Sequence, residues 1–209
     1  MTLYSLPGRG EVHCHVLPCN RAKDLRGHQL IPRALKLYRT YKELRLSTSN
    51  RGAPYFVDDP LSVSVSHSAK IGVVTFSTGV QLGCDFERHQ NRRFIEISRA
   101  YFHPTESAHI AREQNPEQLF YKLWTLKEAY GKAHKIGLTK GLFEDFSTIK
   151  NTPMELNHRR STSRAEFSRL ASLPSDRFFS CSLLPDSSFA LALKTRRSHW
   201  ALTSIFHDR

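Results

Sequence analysis

The segment Val80-Gln-Leu-Gly-Cys-Asp-Phe-Glu87 limits the fold more than any other stretch of the chain. In it the apolar residues Val80, Leu82, Cys84 and Phe86 alternate with Gln81, Gly83, Asp85 and Glu87. A period of two predicts a strand with one buried face. It closes a meander whose other members are the short runs Leu61 to Ser66 and Ile71 to Ser77, and a further strand is expected at Glu11 to Leu17. Helical patterns follow at Arg92 to Phe102, at Thr105 to Glu113 with Thr105 as N-cap, and at Glu117 to His134. Strands return at Phe178 to Leu184, Ser188 to Leu193 and Trp200 to Phe206. Helix then strands, and helix then strands again, predicts an α+β fold of two similar halves, 1–80 and 81–209. The Ser-, Arg- and Asn-rich segment Asn151 to Ser175 is expected to be a loop or an irregular insertion.

A chain of 209 residues suits one medium domain or two small halves sharing a core. Its net charge of +12 admits four kinds of partner: nucleic acid, anionic lipid, an acidic protein or a phosphate-rich small molecule. Between Arg21 and Arg51 nine basic residues face only Asp24 and Glu43, a local +7. Apolar residues recur there at roughly helical spacing, so two basic amphipathic helices, or one kinked at Pro32, are expected to face an anionic ligand. No apolar run approaches the ~20 residues of a membrane-spanning helix. The N-terminus lacks a secretory pattern, so a cytoplasmic location is expected. A monomer is expected as well. The cysteines at 14, 19, 84 and 181 form no CxxC pair and are expected to be reduced, packed thiols. His13-Cys14-His15 with Cys19 could be written as a metal site, but strand alternation separates Cys14 from both histidines and favours a packed strand.

The alternation of Val80 to Glu87 puts Asp85 and Glu87 on one face, ~7 Å apart along the chain. Two such acids repel unless a cation lies between them; a solvent-facing strand edge is the alternative. Gly83 lets another backbone or a ligand approach closely. On the helical stretch Phe120 to Lys132, residues four apart share a face, so Phe120, Trp124, Glu128 and Lys132 form one ridge. A carboxylate that continues an apolar ridge is partly desolvated and needs a partner. That partner is either Lys132 or a divalent metal shared with Asp85 and Glu87, and an all-carboxylate set favours Mg²⁺ over zinc. Ser66-His67-Ser68 stands where a strand turns toward the next, with a hydroxyl on either side of the histidine. It suits hydrogen bonding to a phosphate, or a purely structural turn; the absence of GxSxG argues against a Ser-His-Asp triad. Glu106 lies near a helix start, where the dipole favours a carboxylate whatever its function.

Taken in order, these stretches resemble the surfactin-type 4′-phosphopantetheinyl transferases. Val63-Ser-Val-Ser-His-Ser68 resembles that family's strand ending in Ser-His-Ser, and Leu82-Gly-Cys-Asp-Phe-Glu87 its Gly-x-Asp-x-Glu. Phe120 to Lys132 is similar to its Trp-Thr-x-Lys-Glu-Ala-x-x-Lys helix, and Tyr101-Phe-His-Pro-Thr-Glu106 to its Phe-Phe-x-x-x-Glu. The resemblance implies two α+β halves related by a pseudo-twofold axis, with the active site in the cleft between them. It implies transfer of 4′-phosphopantetheine from coenzyme A to a serine of an apo acyl or peptidyl carrier protein, releasing 3′,5′-ADP. By matching position, Asp85, Glu87 and Glu128 would hold Mg²⁺, and Ser66, His67 and Lys132 would meet coenzyme A phosphates. Glu128, Glu106 or a metal-bound water would accept the serine proton, with Lys132 also in the catalytic set.

Two departures stand out. Where the family often has Gly-Lys-Pro, with its lysine on a phosphate, this chain has Gly52-Ala53-Pro54, so that contact is either missing or supplied by Arg51. The coenzyme A 3′-phosphate would fall to Lys23, with Arg21 and Arg26 as substitutes. The basic stretch would also face the acidic helix of a carrier protein. A basic nucleic-acid-binding protein and an inactive carrier-binding module are the alternatives, the first without a recognisable DNA- or RNA-binding signature.

Overall fold

Short β-branched runs pair first, and the helices cover what the strands leave exposed. The computed structural model describes residues 4–20, 24, 26–39, 44–136, 163–166, 176–197 and 199–207. Its strands are β1 (Glu11–Pro18), β2 (Arg45–Thr48), β3 (Pro54–Val57), β4 (Leu61–Ser68), β5 (Ile71–Thr78), β6 (Leu82–Arg88), β7 (Ser163–Glu166), β8 (Arg177–Cys181), β9 (Ser187–Leu193) and β10 (His199–Phe206). The helices are α1 (Gly27–Leu35), α2 (Phe94–Tyr101), α3 (Pro104–Arg112) and α4 (Pro116–His134). The fold is mixed α+β, as expected.

A five-stranded sheet has the order β4-β5-β1-β10-β7, and a three-stranded sheet the order β6-β9-β8. The first contains strands from both sides of residue 80, because β10 returns to lie parallel to β1, with Glu11 opposite Ala201. The meander is present as β4, β5 and β6, but only β4 and β5 pair through their backbones. β6 starts at Leu82, after the turn at Gly79 with its φ of 74°, rather than at Val80. The hairpin β2–β3 was not anticipated, since its two four-residue strands carry almost no periodic signal. Of 151–175, Ser163–Glu166 pairs with β10 as a strand, contrary to the expected loop, and the rest lies outside the described residues.

β1 is buried on both faces. Val12, Cys14 and Val16 join Phe86, Leu191 and Leu202 in one core, while Leu17 joins Leu30, Ile31, Val74 and Phe76 in another. His13 and His15 turn away from Cys14, and both rings bond the Tyr38 hydroxyl, at 2.8 and 2.7 Å. Burial lowers the pKa of both imidazoles. All four cysteines are free and buried. Among its described residues the basic stretch forms one short helix with Pro32 inside it, and α1 rests on β5 where Gly72 leaves room for Leu30. A Cβ at Gly72 would stand 2.4 Å from Leu30 Cδ2.

Helices α2, α3 and α4 build an aromatic cluster in which Phe102 stacks on Phe120 at 5.3 Å. The N-cap of α3 is His103, not Thr105, because Pro104 takes the first helical position, where its missing N–H costs nothing. The His103 ring accepts from the Thr105 N–H.

Candidate active site

The site forms where α4 crosses β6, and a glycine sets the distance. A Cβ at Gly83 would lie 2.1 Å from the Ala129 carbonyl oxygen and 2.3 Å from the Ala133 nitrogen. Only glycine lets the helix backbone settle on the strand at this point. The close approach that the sequence allowed at Gly83 is thus made by a helix. α4 begins with Pro116 and has Glu117 in its first turn; it ends at Lys135 in the left-handed conformation, whose N–H, with that of Ile136, closes the last turn.

Seated on β6, the ridge of α4 brings Glu128 and Lys132 over Asp85. Lys132 Nζ lies 2.8 Å from Asp85 Oδ1 and 3.9 Å from Glu128 Oε2. The nearer partner of Lys132 is therefore the strand acid, not its i+4 neighbour. Glu87 follows on the same face of β6 and accepts a hydrogen bond from Ser68 Oγ at 2.7 Å. Asp85 Oδ1 accepts a second bond from Ser66 Oγ at 2.7 Å. Asp85 Oδ2 is buried, yet no hydrogen bond reaches it among the described residues.

The electrostatics follow from crowding three acids around one ammonium. Burial, followed by the charges of Asp85 and Glu87, pushes the Glu128 carboxyl up to about 8, and Lys132 opposes the shift. The Glu87 carboxyl is likewise raised, first by burial and then by Asp85, against the pull of the Ser68 hydroxyl. Burial works against the Lys132 ammonium, but Asp85 and its other anionic neighbours outweigh it, so its pKa rises. Among the described residues no three His, Cys, Asp or Glu side chains close into a metal-binding cluster, and the Lys132 ammonium sits on the Asp85 oxygen instead. The donor set nevertheless suits a hard cation: three crowded carboxylates and one buried oxygen that lacks a donor.

Other expected site residues lie at varying distances from this centre. His67 is exposed on the face of β4 opposite Ser66. Arg51 Nη1 donates to the Lys135 carbonyl at 3.0 Å, and Arg51, Lys132 and Lys135 line one cleft of about 220 Å³ with Gly52, Pro54 and Leu82. Lys135 was not singled out in the sequence, since its left-handed backbone at the helix end is what turns it toward the cleft. Arg26 is exposed at the start of α1, and Lys23 and Arg21 lie outside the described residues. Glu106 has no exposed surface and pairs with Lys127, also fully enclosed, at 2.9 Å.

The sequence profile of the 4′-phosphopantetheinyl transferase superfamily matches residues 81–205, and the chain belongs to that superfamily. It is 30% identical over 100 residues to the 4′-phosphopantetheinyl transferase Sfp of Bacillus subtilis, covering 46% of this chain and 44% of the relative. It is 31% identical over 134 residues to the 4′-phosphopantetheinyl transferase pptA of Paxillus involutus, covering 52% and 51%. To the 4′-phosphopantetheinyl transferase HetI of Nostoc sp. it is 26% identical over 105 residues, covering 47% and 44%. The chain thus spans about half the length of the curated relatives it matches.

Proposed function

We propose that the protein transfers 4′-phosphopantetheine from coenzyme A to a serine of an apo acyl or peptidyl carrier protein. The observation that carries this proposal is the convergence of Asp85, Glu87, Glu128 and Lys132, with the unsatisfied Asp85 Oδ2, at the crossing of β6 and α4. In the transfer the serine oxygen forms a bond to the β-phosphorus, the bond from that phosphorus to the bridging oxygen breaks, and 3′,5′-ADP leaves. Such a reaction needs positioning, charge neutralisation and a proton acceptor.

Asp85, Glu87 and Glu128 would hold Mg²⁺, which when bound supplies positive charge to the pyrophosphate. Lys132 adds a fixed cation beside the same carboxylates. Arg51 and Lys135 put further positive charge along the adjoining cleft, and His67 offers its ring to a coenzyme A phosphate from the exposed face of β4. Glu128, deprotonated when the cation binds beside it, would take the serine proton. Glu106 has no such part, because its carboxylate is enclosed against Lys127. Residues 1–80 and 81–209 would act as two halves, with coenzyme A in the cleft between them. The net charge of +12 suits both coenzyme A and the acidic helix of a carrier.

Incubation with coenzyme A, Mg²⁺ and a panel of apo carrier proteins, followed by mass spectrometry, tests the proposal. A carrier that gains one phosphopantetheine supports it, provided Asp85→Ala and Glu128→Ala abolish the gain while leaving the chain folded. No gain on any carrier, together with tight DNA binding, overturns it.

A further inference from the structure

β6 is an edge of its three-stranded sheet, with β9 on one side only. Strand N–H groups alternate in direction, so one row on β6 has no strand partner among the described residues. Three serine hydroxyls of β4 take that row. Ser64 Oγ accepts from Cys84 N at 3.0 Å, Ser66 Oγ from Phe86 N at 3.1 Å and Ser68 Oγ from Arg88 N at 3.1 Å. The period of two in Ser62-Val-Ser-Val-Ser-His-Ser68 meets the period of two in β6, and the two sheets are joined by side chains rather than by a ladder. Each hydroxyl that accepts still has its own proton to donate. Ser66 gives it to Asp85 Oδ1 and Ser68 to Glu87 Oε2, both at 2.7 Å. Ser64 gives none to a carboxylate among the described hydrogen bonds; it stands beside the Cys84 thiol.

We propose that Ser66 and Ser68 are positioning residues that aim Asp85 and Glu87 at the bound cation, a role that rests on the transferase reading above. The χ2 torsion of an aspartate is broad and roughly two-fold, so its two oxygens exchange unless something distinguishes them. Here Oδ1 takes both the Ser66 hydroxyl and the Lys132 ammonium, while Oδ2 takes neither. Ser66 therefore keeps Lys132 on one oxygen and leaves the other for the metal. Without it, the carboxylate can turn either oxygen to Lys132, and the ammonium competes with the cation. Ser68 holds Glu87 in the same manner, at the more open end of the row. The Ser66 hydroxyl is thus committed on both sides, as acceptor to Phe86 N and donor to Asp85, which leaves His67 rather than Ser66 to face a phosphate. Outer partners of metal ligands fix the orientation of those ligands, and their loss typically costs about 10–100-fold in metal affinity.

Ser64 provides the internal control, because Ser64→Ala removes a backbone acceptor of the same kind without touching a carboxylate. Mn²⁺ binding to the full chain, with coenzyme A at fixed concentration and coenzyme A alone as blank, is followed by electron paramagnetic resonance. Thermal unfolding is recorded beside it. All three alanine variants are expected to lose some thermal stability. Ser66→Ala is expected to weaken Mn²⁺ binding by about 10–100-fold, Ser68→Ala by less, and Ser64→Ala not measurably. Ser66→Thr, which keeps the hydroxyl, is expected to restore binding, and the Mg²⁺ requirement of Ser66→Ala is expected to rise without a matching rise in the coenzyme A KM. Native affinity in Ser66→Ala, or an equal loss in Ser64→Ala, overturns the positioning role while leaving the metal site standing. No Mn²⁺ binding by the unmodified protein overturns the metal site itself.

Discussion

Helix α4 carries two lysine–carboxylate pairs, five residues apart, and they differ in almost everything except length. Lys127 and Glu106 meet at 2.9 Å with both side chains 0% exposed, and the Lys127 ammonium also lies 5.8 Å from the centre of the Phe102 ring. Lys132 and Asp85 meet at 2.8 Å, but the lysine side chain is 29% exposed, a second acid stands 3.9 Å away, and one Asp85 oxygen has no donor. The first pair, sealed from water, pins α3 to α4. Three acids against one lysine, open on one side, leave negative charge that a cation would neutralise. The difference shows that proximity of opposite charges does not mark a site. Imbalance beside an opening does.

The largest effect that can break this contrast is expected at the sealed pair. Lys127→Met leaves the Glu106 carboxylate buried without its cation and should cost about 3–5 kcal/mol of unfolding free energy, while replacing both partners with apolar residues should recover most of it. Urea unfolding of the single and double variants measures this. A Lys127→Met protein as stable as the native would show that Glu106 is not held as a charged pair.

At the open pair the same kind of change should strike activity instead of stability. Asp85→Asn and Glu128→Gln are each expected to slow transfer by more than about a hundredfold, or ~2.7 kcal/mol of barrier at 1.36 kcal/mol per tenfold. Stability should change far less than at the sealed pair, since the Lys132 side chain is 29% exposed and keeps one acid beside it in either variant. A large loss of stability in either variant, measured by the same urea titration, would make the open pair structural too.

A smaller effect follows from the proton on Glu128. The folded chain holds that proton up to about 8, whereas an unfolded carboxyl releases it near its ordinary 4.5. Between those values the folded state binds the extra proton, so the stability of the metal-free protein should fall as pH rises through the window. Glu128→Gln should flatten that decline, as measured by unfolding at several pH values in the presence of a chelator. A decline that persists unchanged in Glu128→Gln would assign the proton to another group.

Much of this contrast was legible in the sequence, but unevenly. The alternation around Asp85 and Glu87 and the ridge through Glu128 and Lys132 are short-range periodicities, and both survive folding because each lies within one element. The double burial of β1 was not legible, because His13 and His15 alternate with its apolar residues and are buried through their bonds to Tyr38, and the β2–β3 hairpin is too short to impose a period. Glu106 read as a general helix-start acid because its partner lies twenty-one residues away on another helix. The serine row was visible as Ser-His-Ser, yet its direction depends on which sheet β4 faces, and that is decided by the return of β10 and the seating of α4 on Gly83. The +7 stretch shows the opposite failure: charge predicts an anionic partner without saying which arginine reaches it. Arg33 spends its guanidinium on the Pro18 carbonyl at 3.0 Å, and Arg51 on the end of α4.

That last contact offers the mildest way to sharpen the comparison. Arg51 is exposed and bonds the Lys135 carbonyl, one of the acceptors that a helix end leaves without an internal partner. An exposed bond of this kind contributes about 1 kcal/mol or less, so Arg51→Ala should barely alter unfolding. If the cleft shared by Arg51, Lys132 and Lys135 takes the phosphates of coenzyme A, the coenzyme A KM should rise about tenfold at most, while the carrier KM stays put. Arg51→Lys should recover part of the loss, because charge matters there more than the planar fork. Equal rises in both KM values would move Arg51 from the coenzyme A cleft to the carrier interface, and an unchanged coenzyme A KM would confine the useful positive charge at this end of α4 to Lys132 and Lys135.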